Sequence, residues 1–276
     1  MHAPELPDWT VYAAVVVALV IAAGGRREKA DAPEAPPPVP REEDVPLGPA
    51  SPFDPAEVVR VQSRVAVASG TAFSVGQSGV WVTARHVLEG CNRAAIVVAD
   101  GKGVAARMRK GRYSDIAVLN TEGGSAGLPV AADAPPRWGQ RAFHPGFPQG
   151  RPGEATSRFL GADTLRGKGR GAKAEPVLAW AEVGRTEGLD GGLEGLSGAP
   201  VLDAAGQVVG VTLAEEPRRG RLYTLPPQVL HRVLRRVGWT PSTAEAGEPI
   251  TIDNYGRAAD GLRRDLRVAK VVCLGA

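Results

Sequence analysis

The sequence predicts an all-β chain: two six-stranded antiparallel barrels with a closing C-terminal helix, preceded by one N-terminal transmembrane helix. Three observations carry this. Between residues 57 and 238, short apolar segments recur at close intervals with turn-forming residues between them, as barrel strands do. From Pro226 the apolar positions take on helical spacing behind a proline start. Near the start of the chain, Trp9 to Gly25 forms an apolar run almost free of charge.

The elements follow in order. Residues 1–8 carry no Lys or Arg, which argues against a cleaved signal peptide. Residues 9–25 would span roughly 25 Å as a helix, marginal for a bilayer core, with Trp9 and Tyr12 placed as interface aromatics. The alternative is a buried soluble helix. Residues 26–56 open with Arg26, Arg27 and Lys29 and then turn rich in Pro, Ala and acidic side chains. That composition cannot bury a core and reads as an extended tether.

In the barrel region the expected strands are Val58–Ala68, Thr71–Val75, Val80–Thr83, Ala94–Ala99, Val104–Met108 and Ile116–Asn120. The second half offers Arg141–Phe143, Thr156–Leu160, Val177–Val183, Pro200–Asp203, Val208–Leu213 and Arg221–Thr224. A helix over Pro226–Val237 follows, and residues 239–276 form a C-terminal extension. The formal net charge of +3 is small and scattered, so nucleic acid is not an expected partner. No Cys/His metal spacing and no phosphate-binding glycine loop occurs, so neither metal nor cofactor is expected.

Chemistry concentrates in three places. Gly192-Leu-Glu-Gly195-Leu-Ser197-Gly198-Ala-Pro200 sets a serine in a glycine-bracketed turn. Glycines there allow positive φ, which can aim the amides of Gly195 and Ser197 at one point beside the hydroxyl, an oxyanion hole. Upstream, the apolar strand Val80-Trp-Val-Thr-Ala ends just before His86. Between the two, Asp115 stands at the mouth of Ile116-Ala-Val-Leu. Each alone has a plain reading as a turn or structural residue. Together, in this order, they supply a nucleophile, a base and a carboxylate that orients it.

The strand-Thr-Ala-x-His, Asp-Ile-Ala-Val-Leu and Gly-x-Ser-Gly-x-Pro signatures resemble the trypsin-like (chymotrypsin-fold) serine peptidases over residues 57–238, nearest to bacterial Deg/HtrA-type proteins. The resemblance implies that His86, Asp115 and Ser197 form a catalytic triad in the cleft between barrels, acting on a peptide or protein substrate. It implies a substrate pocket with a floor near Asp190 and Gly191 and a wall at Val211, Thr212 and Leu213, suited to a small or medium aliphatic side chain. Phe147-Pro-Gln-Gly150 resembles the Gly-x-Pro-x-Gly loop of bacterial relatives and reads as a turn without a catalytic role. Leu196 replaces an aspartate that trypsin relatives pair with a freed N-terminus, so activation by N-terminal cleavage is not expected. Only 38 residues follow Gly238, too few for a PDZ module. The same likeness suggests an inner-membrane, single-pass protein with a periplasmic peptidase domain, although Arg26, Arg27 and Lys29 favour the opposite orientation.

Two cysteines remain. Trypsin relatives carry a cysteine shortly after the histidine, here Cys91, but its usual partner is missing. Cys273 ends the apolar run Val268–Cys273. The expected arrangement returns this tail to the first barrel and bonds Cys273 to Cys91; the alternative is two unrelated thiols. In function, the alternative is a membrane-tethered peptide-binding or sensing module of the same fold with little or no proteolysis.

Overall fold

A computed structural model describes residues 58–60, 69–76, 79–110, 114–131, 134–166, 174–239 and 249–274. All of these fall in the unit Ala32–Ala276; the unit Met1–Asp31, with the apolar run Trp9–Gly25, lies outside the described residues, as does the whole of the tether 26–56. Among the described residues no helix is long and apolar enough to cross a membrane.

The first barrel contains β2 (Ser69–Ser74), β3 (Val80–Ala84), β4 (Ala94–Ala99), β5 (Lys102–Lys110) and β6 (Ile116–Asn120), every neighbouring pair antiparallel. Its sixth strand is not the expected Val58–Ala68. It is β13 (Val268–Cys273), which threads between β4 and β2 with Val272 opposite both Ala95 and Ser69. β1 (Val58–Arg60) instead pairs with Lys102–Val104, the stretch of β5 that β6 leaves uncovered. Residues 61–68 lie outside the described set. The apolar positions of β13 explain its place. Val268, Ala269, Val271 and Val272 are all buried, as befits a strand hydrogen-bonded on both edges within a core.

Cys91 and Cys273 form a disulfide with Cα atoms 5.6 Å apart and a sequence separation of 182. It pins the end of β13 beside the segment that follows His86. Closing so long a loop contributes about 5 kcal/mol in the chain-entropy account.

The second barrel closes in the order β10-β11-β12-β9-β8-β7. Its strands are β7 (Arg141–Gly146), β8 (Gly153–Arg166), β9 (Ala174–Arg185), β10 (Pro200–Leu202), β11 (Val208–Glu216) and β12 (Arg221–Leu225). β8 and β9 run well beyond the expected bounds, as a hairpin of 14 and 12 residues. Polar residues such as Asp163 and Thr164 lie on the part that leaves the barrel, where the apolar pattern fades while the backbone ladder continues. The helix Pro227–Arg236 begins at a proline and buries Val229, Leu230 and Leu234.

A second helix, Tyr255–Arg264, straps the outside of the second barrel before the chain enters β13. The Tyr255 ring lies 5.5 Å from that of Phe143. Arg263, with 7% of its side chain exposed, donates to Glu154 at 2.9 Å, to Asp260 at 2.7 Å and to the carbonyls of Gly146 and Gly153. Burial pushes the Glu154 carboxyl up, and Arg263 works against that shift. Through this guanidinium the C-terminal extension fastens one barrel before completing the other.

Candidate active site

Asp115 and His86 are set by adjacent strand ends. β3 runs directly into a 3₁₀ turn, Arg85–Leu88, while β6 begins one residue after Asp115 and pairs Ile116 with Ala84. The Arg85 amide donates to the Asp115 carbonyl at 3.1 Å, so the two strand ends are locked at this point. The Asp115 carboxylate then takes two bonds from His86. Oδ1 accepts the backbone amide at 2.9 Å, and Oδ2 faces ring Nδ1 at 2.6 Å. A carboxylate at Nδ1 fixes the proton there and leaves Nε2 as the free acceptor. The His86 side chain is 41% exposed and that of Asp115 18%, so the imidazole opens to solvent while its partner is shielded. Arg85 Nε stands 3.9 Å from Oδ1.

Ser197 comes from the turn before β10. Gly198 has φ +88°, and a Cβ there would fall 2.2 Å from the Thr71 carbonyl and 2.8 Å from the Ala84 amide. Only glycine lets the turn lie this close to β2 and to the strand end that carries His86. Thr71 makes the joint: its amide donates to the Ser197 carbonyl at 2.9 Å, its hydroxyl donates to the Gly195 carbonyl at 2.8 Å, and that hydroxyl accepts the Phe147 amide at 3.0 Å.

Within the turn, the amides of Leu196, Gly198 and Ala199 donate to Leu193, Thr212 and Leu196 carbonyls. Among the described residues, the amides of Gly195 and Ser197 donate to nothing. The Ser197 hydroxyl donates to the Leu213 carbonyl at 3.0 Å, and no hydrogen bond joins it to His86.

Beside Ser197 opens a recess of about 210 Å³ lined by Leu193, Glu194, Leu196, Thr212, Ala214, Glu215, Pro217 and Leu222. Of the five residues expected there, Thr212 alone lines it. Asp190 and Gly191 turn their carbonyls to Gln149 and Arg185; Val211 is wholly buried in the barrel; Leu213 offers its carbonyl to the Ser197 hydroxyl and buries its side chain. The wall is displaced along β11 because a register shift between Thr212 and Ala214 re-aims the strand.

Several side chains around this site carry no local sequence signal. Glu215 crosses the recess: its carboxylate accepts the Leu193 amide at 2.5 Å and Arg185 at 3.3 Å. Burial pushes the Glu215 carboxyl up, against the pull of Leu193 and Arg185. Arg185 overcomes the burial that opposes its charge and is held above its ordinary value by Glu182 and Glu215. From the far end of the β8–β9 hairpin, Glu175 accepts the Asp115 backbone amide at 2.8 Å, one barrel holding the main chain of the other at this point; burial raises the Glu175 carboxyl too. No group of three or more potential metal ligands occurs among the described residues.

His144 also contacts two hydroxyls, Thr212 Oγ1 at 3.0 Å and Ser157 Oγ at 2.7 Å. The ring is wholly buried and has no carboxylate partner among these contacts. It braces β7, β8 and β11 behind the site, and burial pushes it down to about 3.

Residues 70–211, just over half of the chain, match the family described as "Trypsin-like peptidase domain". A Synechocystis sp. protein named as a serine protease, HhoA, is 26% identical over 157 residues; the match takes in 55% of this chain and 38% of that protein's length. The fold is similar to the Rv3671c protease of M. tuberculosis. Its active form gives a TM-score of 0.52 at 22% identity, over 67% of this chain and 77% of that one. Its inactive form gives 0.50 at 24% identity, over 61% and 83%.

The buried imidazole sets an acid limit on stability. Between its ordinary value of 6.5 and about 3 the unfolded chain holds a proton that native His144 lacks. This contribution is intact above pH 6.5 and falls with pH by about 1.4 kcal/mol per unit across that window. Urea unfolding at pH 7 and pH 5 should show the loss in the wild type. His144→Gln, which keeps a donor and an acceptor, should show a flatter profile.

Proposed function

Because the chain belongs to the trypsin-like peptidase family, we propose that it is a serine endopeptidase that cuts peptide bonds through His86, Asp115 and Ser197. The observation that carries this is the pair of unpartnered amides, Gly195 and Ser197, in one glycine-shaped turn beside a serine hydroxyl. Polar backbone groups near a protein interior rarely go without partners, and two of them at a nucleophile suit the oxyanion of a tetrahedral intermediate.

In the reaction, rotation about the Ser197 Cα–Cβ bond exchanges the Leu213 carbonyl for His86 Nε2. Oγ attacks the scissile carbonyl carbon as its proton passes to Nε2, and the carbonyl oxygen takes its charge into the two amides. His86 then returns the proton to the leaving amine as the C–N bond breaks. Water hydrolyses the acyl-enzyme by the same steps. Asp115 holds Nδ1–H throughout and balances the imidazolium. The apolar faces of Leu193, Leu196, Ala214, Pro217 and Leu222 favour a small or medium aliphatic side chain before the cut, with the Glu215 charge already engaged by Leu193 and Arg185.

The same reading anchors the chain through Trp9–Gly25 and places the peptidase domain on the periplasmic side. The Cys91–Cys273 bond favours an oxidising compartment. The alternative, a tethered peptide-sensing module with little proteolysis, draws on one observation: the Ser197 hydroxyl is bonded to Leu213 and not to His86.

A fluorophosphonate probe should label the wild type and leave Ser197→Ala unlabelled; a folded wild type that stays unlabelled would establish the sensing module instead. Asp115→Asn should lower kcat by roughly 10⁴-fold, read with a fluorogenic peptide. A peptide library varied at the position before the cut should select Ala, Val or Leu, and a clear preference for Arg or Lys would refute the pocket assignment. Alkaline phosphatase fused after residue 276 should be active, whereas fluorescence from a cytoplasm-restricted reporter at the same point would reverse the topology.

A further inference from the structure

The loop that carries Asp190 to Gly195 has no regular secondary structure, yet its carbonyls are claimed in strict alternation. Those of Leu189 and Gly191 accept Arg185 Nη1, at 3.2 and 2.7 Å. Those of Gly188, Asp190, Gly192 and Glu194 all turn to the opposite side, to the short turn Phe147–Arg151. Three of these four are held by one residue. Gln149 Nε2 donates to the Asp190 carbonyl at 2.7 Å and to the Gly192 carbonyl at 2.9 Å, and the Gln149 amide donates to the Glu194 carbonyl at 2.5 Å.

The last bond reaches the chemistry through covalent geometry. In a planar trans peptide the N–H points opposite to the C=O. Drawing the Glu194 carbonyl to Gln149 therefore turns the Gly195 amide away from that turn, where it has no partner among the described residues. To make this bond Gln149 takes φ +53° and ψ 24°. Only Leu266 shares a positive φ among the described non-glycine residues. A side chain in this region is uncommon and persists where its surroundings over-determine it. The surroundings here are substantial. Phe147 is tied to the Thr71 hydroxyl at 3.0 Å, and the Gly150 carbonyl accepts Lys270 Nζ of β13 at 3.1 Å, so the turn rests on the first barrel.

We propose that Gln149 is a positioning residue that preorganises the oxyanion hole, fixing the Glu194–Gly195 peptide and the loop leading to it in the orientation that leaves the Gly195 amide free. This rests on the peptidase reading given above and departs from the plain turn that the sequence suggests for Phe147–Gly150. Glycine could hold the backbone conformation with less strain, so the requirement for glutamine lies in its side-chain amide, which reaches two carbonyls at once.

Two variants separate the parts. Gln149→Gly keeps the main-chain donor, relieves the positive φ and removes the side-chain bonds. Gln149→Met keeps the bulk and removes the same bonds. Both should lower kcat and the fluorophosphonate labelling rate by roughly tenfold to a hundredfold, below the loss for deleting an oxyanion donor outright, with KM changed by less than about threefold. Gln149→Gly should melt at or above the wild-type temperature, which separates positioning from folding and lets that variant decide if Gln149→Met does not fold. Wild-type rates in a folded Gln149→Gly overturn the proposal, as does a kcat loss that only follows the folded fraction. If the wild type and Ser197→Ala are equally unlabelled, the peptidase reading itself fails and takes this proposal with it.

Discussion

The contacts of Thr71 hold the two barrels in one register. This residue is wholly buried in β2; its hydroxyl bonds Gly195 and Phe147, its amide donates to the Ser197 carbonyl, and its carbonyl accepts the Thr83 hydroxyl of β3 at 2.7 Å. One strand of the first barrel thus fixes the turn that carries Ser197, the turn that carries Gln149, and the strand leading to His86. A displacement of β2 would move all three together. Because β2 is paired on its other edge with β13, the frame also depends on a segment nearly two hundred residues away.

Around that joint the site is built mostly from backbone groups held by side chains. A loop without a ladder must find partners for its carbonyls and amides elsewhere. Here they come from opposite sides, Arg185 on one and Gln149 with Arg151 on the other, while Glu215 takes the Leu193 amide across the recess. One guanidinium, that of Arg185, is shared by two carboxylates, Glu182 and Glu215. The strand side is equally tied, through His144, Ser157 and Thr212. Preorganisation of this kind keeps the two free amides from collapsing onto nearby carbonyls.

What could be read in advance follows from how local each signal is. His86, Asp115 and Ser197 each sit in a short, distinctive context, and the structure sets His86 against Asp115 with the Ser197 turn docked at the same strand ends. The strand character of Val268–Cys273 is legible as an apolar run, and its return to the first barrel only through the expected pairing of Cys273 with Cys91. Its insertion between β4 and β2 was not, since pairing partners so far apart leave no mark in either segment. The recess escaped for a related reason: its lining comes from Leu193–Ser197, from Thr212–Pro217 and from Leu222, and a register shift decides which β11 side chains face it. Gln149 and Thr71 look like ordinary turn and strand residues, because what distinguishes them is a backbone angle and a set of distant carbonyls.

The threading of β13 has a consequence for how the protein is made. Residues 69–120 leave the ribosome with two strand edges, on β2 and β4, whose shared partner has not yet been synthesised. The second barrel, formed from residues 141–225, is complete in sequence before that partner emerges. The nascent first barrel therefore waits, with an open seam of paired-strand edges, for a segment roughly 150 residues behind it. Such edges invite pairing with another chain. Closure is a late event in the life of each molecule, and the Cys91–Cys273 bond then fastens to the first barrel the one strand whose arrival fills the seam.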